Sequence, residues 1–179
     1  MISPAWGPFL FDTSAESWLA RSHNSGVMNW FGEYLSLHQV HVSAVTIAER
    51  IRGYAILAQR AKRERSKDME AARIAYLSEI GQVWPLDRAA AVVAGEIMAL
   101  LPQPPTPPRR THKSVESRQD RLVRWRFDGM IAATALVAGM ALIHNNPSDF
   151  ESIRAAIEIS PERFPGLGPL PLIRCDSLT

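Results

Sequence analysis

The chain has 179 residues, 46% hydrophobic and 21% charged, which suffices for one well-buried core, read as one domain over residues 1–179, and is too short for two. Its net charge of +2 is uneven, because windows 60–67 and 109–126 carry +4 and +5 and leave −7 elsewhere, an acidic body with two basic segments that suits a polyanionic partner. A single cysteine, Cys175, excludes an intrachain disulfide, and the longest uncharged apolar run, Gly129 to Ile143, falls short of the roughly 20 residues of a membrane helix.

Phe9-Leu10-Phe11 reads as a short apolar strand ending in Asp12-Thr13-Ser14, and Thr13 with Glu16 three residues on can cap the next helix. A second helix spans Val27 to Leu37, with Val27, Trp30, Phe31, Tyr34 and Leu35 on one side. His41 to Val45 reads as a strand. Thr46 then opens a helix with Glu49 in its first turn and Ile51, Tyr54, Ala55 and Leu57 further along. After the first basic segment, Met69, Ala72, Ile74, Tyr76, Leu77 and Ile80 make another amphipathic helix. Val83 to Leu86 is a short strand before a helix capped by Asp87 that runs through Ala90, Val93, Ala94, Ile97 and Leu100.

That helix ends at a break, since five of the seven residues from Pro102 to Pro108 are proline, which excludes helix and gives an extended spacer. The basic stretch Arg109 to Arg126 leads into Asp128, which is placed at the start of a helix whose small face is Ile131, Ala132, Ala135 and Leu136 and which Gly139 stops. Met140 to Ile143, wholly apolar and followed by His144, Asn145, Asn146 and Pro147, reads as a strand buried on both faces. Leu170 to Ile173 gives a last edge strand. Strands alternating with helices argue an α/β domain with a parallel sheet covered on both sides.

In such a sheet the carboxyl ends of the strands share one edge, where ligand sites gather. Asp12, Glu49 and Asp149 fall there by sequence position, and Asp128 opens the helix before the fourth strand. Taken singly, each acid reads better as a helix cap or a surface turn, since capping is what acids at helix starts usually do. Together they would repel one another unless a cation sat among them, and oxygen-only donors without paired His or Cys suit Mg²⁺ or Mn²⁺ in preference to zinc.

The blocks FLFDTSA, VSAVTIAERIRGY, VWPLDRAAAVVAGEIMALL, FDGMIAATALVAGMALIHNNPSDF and PGLGPLPLI resemble, in that order, the signature blocks of PIN-domain proteins, most of all the VapC-type toxins of bacterial toxin-antitoxin pairs. The resemblance implies a three-layer α/β/α fold and a metal-dependent endoribonuclease site. Its acids fall on Asp12, Glu49, Asp128 and Asp149, its threonine on Thr13 and the asparagine of its last motif on Asn146. It also implies a homodimer and a cognate antitoxin docked between early helices, around Trp18, Leu19, Trp30, Phe31 and Leu35, although by their spacing most of these five read as core. His144 stands where threonine is common, and relatives have only a short link in place of the insert at about 102–126.

The expected reaction is Mg²⁺-dependent or Mn²⁺-dependent hydrolysis of RNA by a soluble, cytoplasmic protein with no membrane partner. Two other readings compete with it: a PIN-like module that has lost catalysis and binds nucleic acid or regulates, and a phosphotransferase with Asp12 as nucleophile, against which Ser14 stands where a second acid would be needed. The insert has two readings of its own. As a flexible arm, Arg109, Arg110, Arg118, Arg121 and Arg124 would bind RNA phosphates and Trp125 would stack on an unpaired base. As a helical extension, Leu122, Val123 and Trp125 would pack inward.

Overall fold

The computed structural model describes residues 2–108 and 115–178. Among these, five short strands, β1 (Leu10–Phe11), β2 (His41–Ser43), β3 (Gln82–Trp84), β4 (Leu142–His144) and β5 (Leu172–Arg174), form one sheet in the order β3-β2-β1-β4-β5 with every adjacent pair parallel. Parallel neighbours need crossovers, which the helices provide. They are α1 (Thr13–Arg21), α2 (Ser25–Leu37), α3 (Ala44–Arg60), α4 (Arg63–Glu79), α5 (Arg88–Leu100), α6 (Arg118–Ala138) and α7 (Pro147–Ile159).

Successive residues of a strand face opposite sides of a sheet, and the two central strands each split their apolar side chains between two cores. Leu10 and Leu142 pack with Val93 and Ile97 of α5, Ile131 and Ala132 of α6, and Phe150 and Ile153 of α7. Phe11 and Ile143 pack instead with Ala15 and Leu19 of α1 and Val27, Trp30 and Tyr34 of α2. The sheet therefore lies between two helical layers, the α/β/α architecture expected from the sequence.

Several boundaries differ from the sequence reading, each for a local reason. Asp12, not Thr13, caps α1, its side chain accepting from the Ala15 amide, so the strand before it ends at Phe11. Ser43 caps α3 by accepting from the Thr46 amide at 3.0 Å, so that helix begins at Ala44 and Thr46 lies inside its first turn. β4 runs Leu142–His144 and takes in His144, which is fully buried against Phe150 with ring centroids 5.1 Å apart.

The largest difference concerns α6. Asp128 does not open it: Ser117 is its cap, accepting from the Asp120 amide, and Asp128 lies halfway along. The basic stretch is helical from Arg118 because Leu122 and Trp125 continue the apolar stripe of Ala132 and Leu136 backwards toward α5. At the other end Gly139 adopts φ 64°, and the amides of Gly139 and Met140 return to Leu136 and Ala135, a left-handed glycine stop.

Candidate active site

Asp12 emerges where β1 hands over to α1. Its Oδ1 accepts from the Ala15 amide at 2.6 Å and its Oδ2 from the Ser14 hydroxyl at 2.7 Å, so the carboxylate sits in the partial positive charge of a helix start. The capping side chain also lines a cavity and is only 3% exposed. Glu49 reaches the same place from α3. Its Oε2 accepts from the Thr13 hydroxyl of α1.

Asp128, buried in the middle of α6, accepts from Asn146 at 3.0 Å, and the same Asn146 amide donates to Asp149 at 2.7 Å. Asn146 sits between β4 and the Pro147 that starts α7, which places Asp149 in the first turn of that helix. Asp149 is fully buried, and both of its oxygens are engaged by Thr106, Arg124 and Asn146.

A cavity of about 640 Å³ opens over Asp12, Glu49 and Asp128, with Thr13 and Asn146 beside them. Asp149 stands outside its wall. The crowding of acids is visible electrostatically. Burial pushes the Asp12 carboxyl up to about 7, the helix amide and the Ser14 hydroxyl oppose it, and the Glu49 charge adds to it. Asp128 is held well above the usual carboxylate range, first by burial and then by the charges of Asp12, Asp149 and Glu49, with Arg124 pulling the other way. Like charges in one buried place behave so until a cation joins them.

Among the described residues no group of three or more His, Cys, Asp or Glu side chains forms a ready-made ion cage. In kind, however, the donor set fits Mg²⁺ or Mn²⁺: Asp12, Glu49 and Asp128 offer only oxygen, and a cation among them relieves the strain on Asp12 and Asp128. The cavity is also lined by one face of α1, where Ser14, Ser17, Trp18 and Arg21 recur at helical spacing, with His23 just beyond. The same spacing was legible in the sequence, yet nothing there distinguished a cavity face from a core face.

The remaining sequence candidates are scattered. Trp125 is 1% exposed, with its indole N–H on the Leu101 carbonyl at 3.0 Å, so it is closed to a nucleobase and the stacking reading is corrected to a core role. Arg124 is engaged by carboxylates, Arg121 donates to the Pro104 carbonyl at 3.0 Å, and Arg118 is exposed. Arg109 and Arg110 lie outside the described residues. Of the proposed docking residues, Leu19 and Trp30 are core, Phe31 is half-buried and Leu35 is 49% exposed. Thr106 and Glu116, which hold Asp149 and Arg124, were missed.

No curated protein sequence matches this chain. Among solved structures, DNA-bound VapBC from Salmonella typhimurium is similar at 22% identity over 93% of this chain and 97% of that one, with a TM-score of 0.57. VapBC2 from Rickettsia felis, bound to a promoter DNA fragment, is similar at 15% identity over 93% and 97%, TM-score 0.55. FitAcB from Neisseria gonorrhoeae is similar at 24% identity over 82% and 93%, TM-score 0.52. At these identities the likeness is one of fold. The family model for the PIN domain matches residues 9–156, spanning every strand but β5 and all three acids of the cavity, and the chain belongs to the PIN-domain family.

Proposed function

We propose that this chain is a metal-dependent endoribonuclease and the toxin of a toxin-antitoxin pair. The observation that carries the proposal is the convergence of Asp12 from the cap of α1, Glu49 from α3 and Asp128 from α6 on one cavity in which two of them are pushed far above the ordinary carboxylate range. Perturbed acids in a cleft mark functional sites more often than structural ones. Asp12, Glu49 and Asp128 would hold Mg²⁺ or Mn²⁺. When bound, the ion supplies a water acidic enough to attack a phosphodiester near neutral pH and offsets the charge of the phosphate.

The chain's own residues do the rest. Thr13 orients Glu49, and Asn146 orients Asp128 while tying it to Asp149. No side-chain nucleophile is required. Along the α1 wall, Arg21 offers charge to the RNA backbone and half-buried Trp18 an aromatic surface for an unpaired base. The toxin assignment draws on the neighbours, which were crystallised as VapBC and FitAcB complexes, and on α2, where Met28 and Leu35 are exposed at 55% and 49% and would meet a small antitoxin. A homodimer is part of the same reading.

The test is cleavage of RNA by purified protein. Cutting is expected with Mg²⁺ or Mn²⁺, is expected to stop with a chelator, and is expected to be absent in Asp128→Asn. Undiminished cutting by that variant would overturn the proposal.

A further inference from the structure

Arg124 lies one helical turn before Asp128 on α6, and its side chain is 10% exposed. It gathers three carboxylates: Nη1 is 2.6 Å from Asp149 Oδ2 and 3.9 Å from Asp128 Oδ2, while Nε and Nη2 grip Glu116 at 3.0 and 3.2 Å. Asp149 is closed from the other side as well, because its Oδ1 accepts from the Thr106 hydroxyl at 2.8 Å and Asn146 shares its Oδ2. Thr106 and Glu116 both come from the stretch joining α5 to α6, and Arg121 fastens that stretch to the helix through the Pro104 carbonyl. The insert thus reaches the acid site through its hydrogen bonds and ion pairs.

A guanidinium keeps its charge at any pH a protein meets, and its planar fork suits two carboxylates at once. Placed between Asp149 and Asp128, Arg124 supplies at that point the positive charge that a second divalent ion would otherwise bring. An ion seeking Asp149 would have to break a buried, hydrogen-bonded ion pair and strip away Thr106 and Asn146. Asp12, Glu49 and Asp128 face the cavity, whereas Asp149 does not.

We infer that Arg124, anchored by Glu116 and Thr106 of the insert, is a resident cation that withdraws Asp149 from metal binding, so that the site takes a single divalent ion on Asp12, Glu49 and Asp128. The inference rests on the metal-binding half of the proposed function and makes Arg124 a positioning residue for the remaining acids. It also gives the insert a task at the site that needs no contact with RNA.

The experiment is to count Mn²⁺ bound at saturation, without RNA, by isothermal titration calorimetry and by electron paramagnetic resonance of the free ion. Wild-type chain is expected to bind one Mn²⁺. Arg124→Met, which frees Asp149, is expected to take up a second, and Glu116→Gln, which loosens the anchor without touching the acids, to let that second ion bind measurably but more weakly than in Arg124→Met. Asp149→Asn is expected to hold its one ion within about threefold of the wild-type affinity. Two ions on the wild type, or loss of the ion in a folded Asp149→Asn, would overturn the inference. The wild-type count decides it even if the variants do not fold. Absence of any Mn²⁺ on the wild type would instead overturn the metal reading itself, and with it this inference.

Discussion

His144 carries its own stability signature at the residue scale. It is fully buried on β4, neither ring nitrogen has a hydrogen-bond partner among the described residues, and burial, aided by Arg174 and Arg154, pushes it down to about 4. Because the unfolded chain takes up that proton near pH 6.5 and the folded chain only near 4, the folded state keeps its full stability above about 6.5 and loses it as pH falls toward 4, by up to roughly 3 kcal/mol. Replacing His144 by Leu is expected to flatten this acid slope in melting curves without lowering stability at neutral pH. An unchanged slope would assign it to other groups. At this scale the sequence put forward Asp12, Glu49, Asp128, Thr13 and Asn146, which line one cavity, since local position relative to a strand end or helix start singles out most of them. It could not reveal Thr106, whose partner Asp149 is 43 residues away, nor the turning of Arg124 from RNA to carboxylates, because those pairings exist only after the sheet has brought α6 and α7 together.

Two helices carry expectations at the scale of elements. Trp125 fills the angle between α5 and α6 and hydrogen-bonds to Leu101, so Trp125→Ala is expected to cost about 3–5 kcal/mol of stability, as large buried truncations do. At temperatures where the variant is folded its RNA affinity should equal that of the wild type. A weakened affinity with stability intact would restore the stacking role. Trp18 on α1 has the opposite profile: half-buried and lining the cavity, it is expected on truncation to alanine to weaken single-stranded RNA binding by about 1–3 kcal/mol, read by fluorescence anisotropy, with a small change in melting temperature. The apolar period separated neither case in advance. Tryptophans at helical spacing look the same whether their neighbours are core or cavity, and the basic residues around Trp125 left a flexible arm as open as the inward-packing helical extension that the structure has. Helix ends were easier, since Asp87 and Gly139 act through their own local chemistry.

For the whole molecule, the parallel sheet was legible as a fold class because strand and helix patterns alternate, but its order was not; that order, β3-β2-β1-β4-β5, puts β1 at the centre, next to both β2 and β4, so that the elements bearing Asp12, Glu49 and Asp149 start from neighbouring strand ends. No helix among the described residues is long and apolar enough to cross a membrane. If the chain is the toxin of a pair, a small partner encoded beside it should co-purify on co-expression and slow hydrogen exchange in α1 and α2. Unchanged exchange there would move the docking site elsewhere. The central claim, that acids gathered at this edge carry out RNA hydrolysis with a divalent ion, is met most directly by following cleavage and binding of one end-labelled RNA in the same reactions, with wild type and Asp12→Asn in Mn²⁺. Asp12→Asn is expected to bind the RNA within about threefold of wild type and to cut it at least on the order of a hundredfold more slowly, the scale expected when a group that positions the reactive centre is removed. Equal cutting by the two proteins would contradict it.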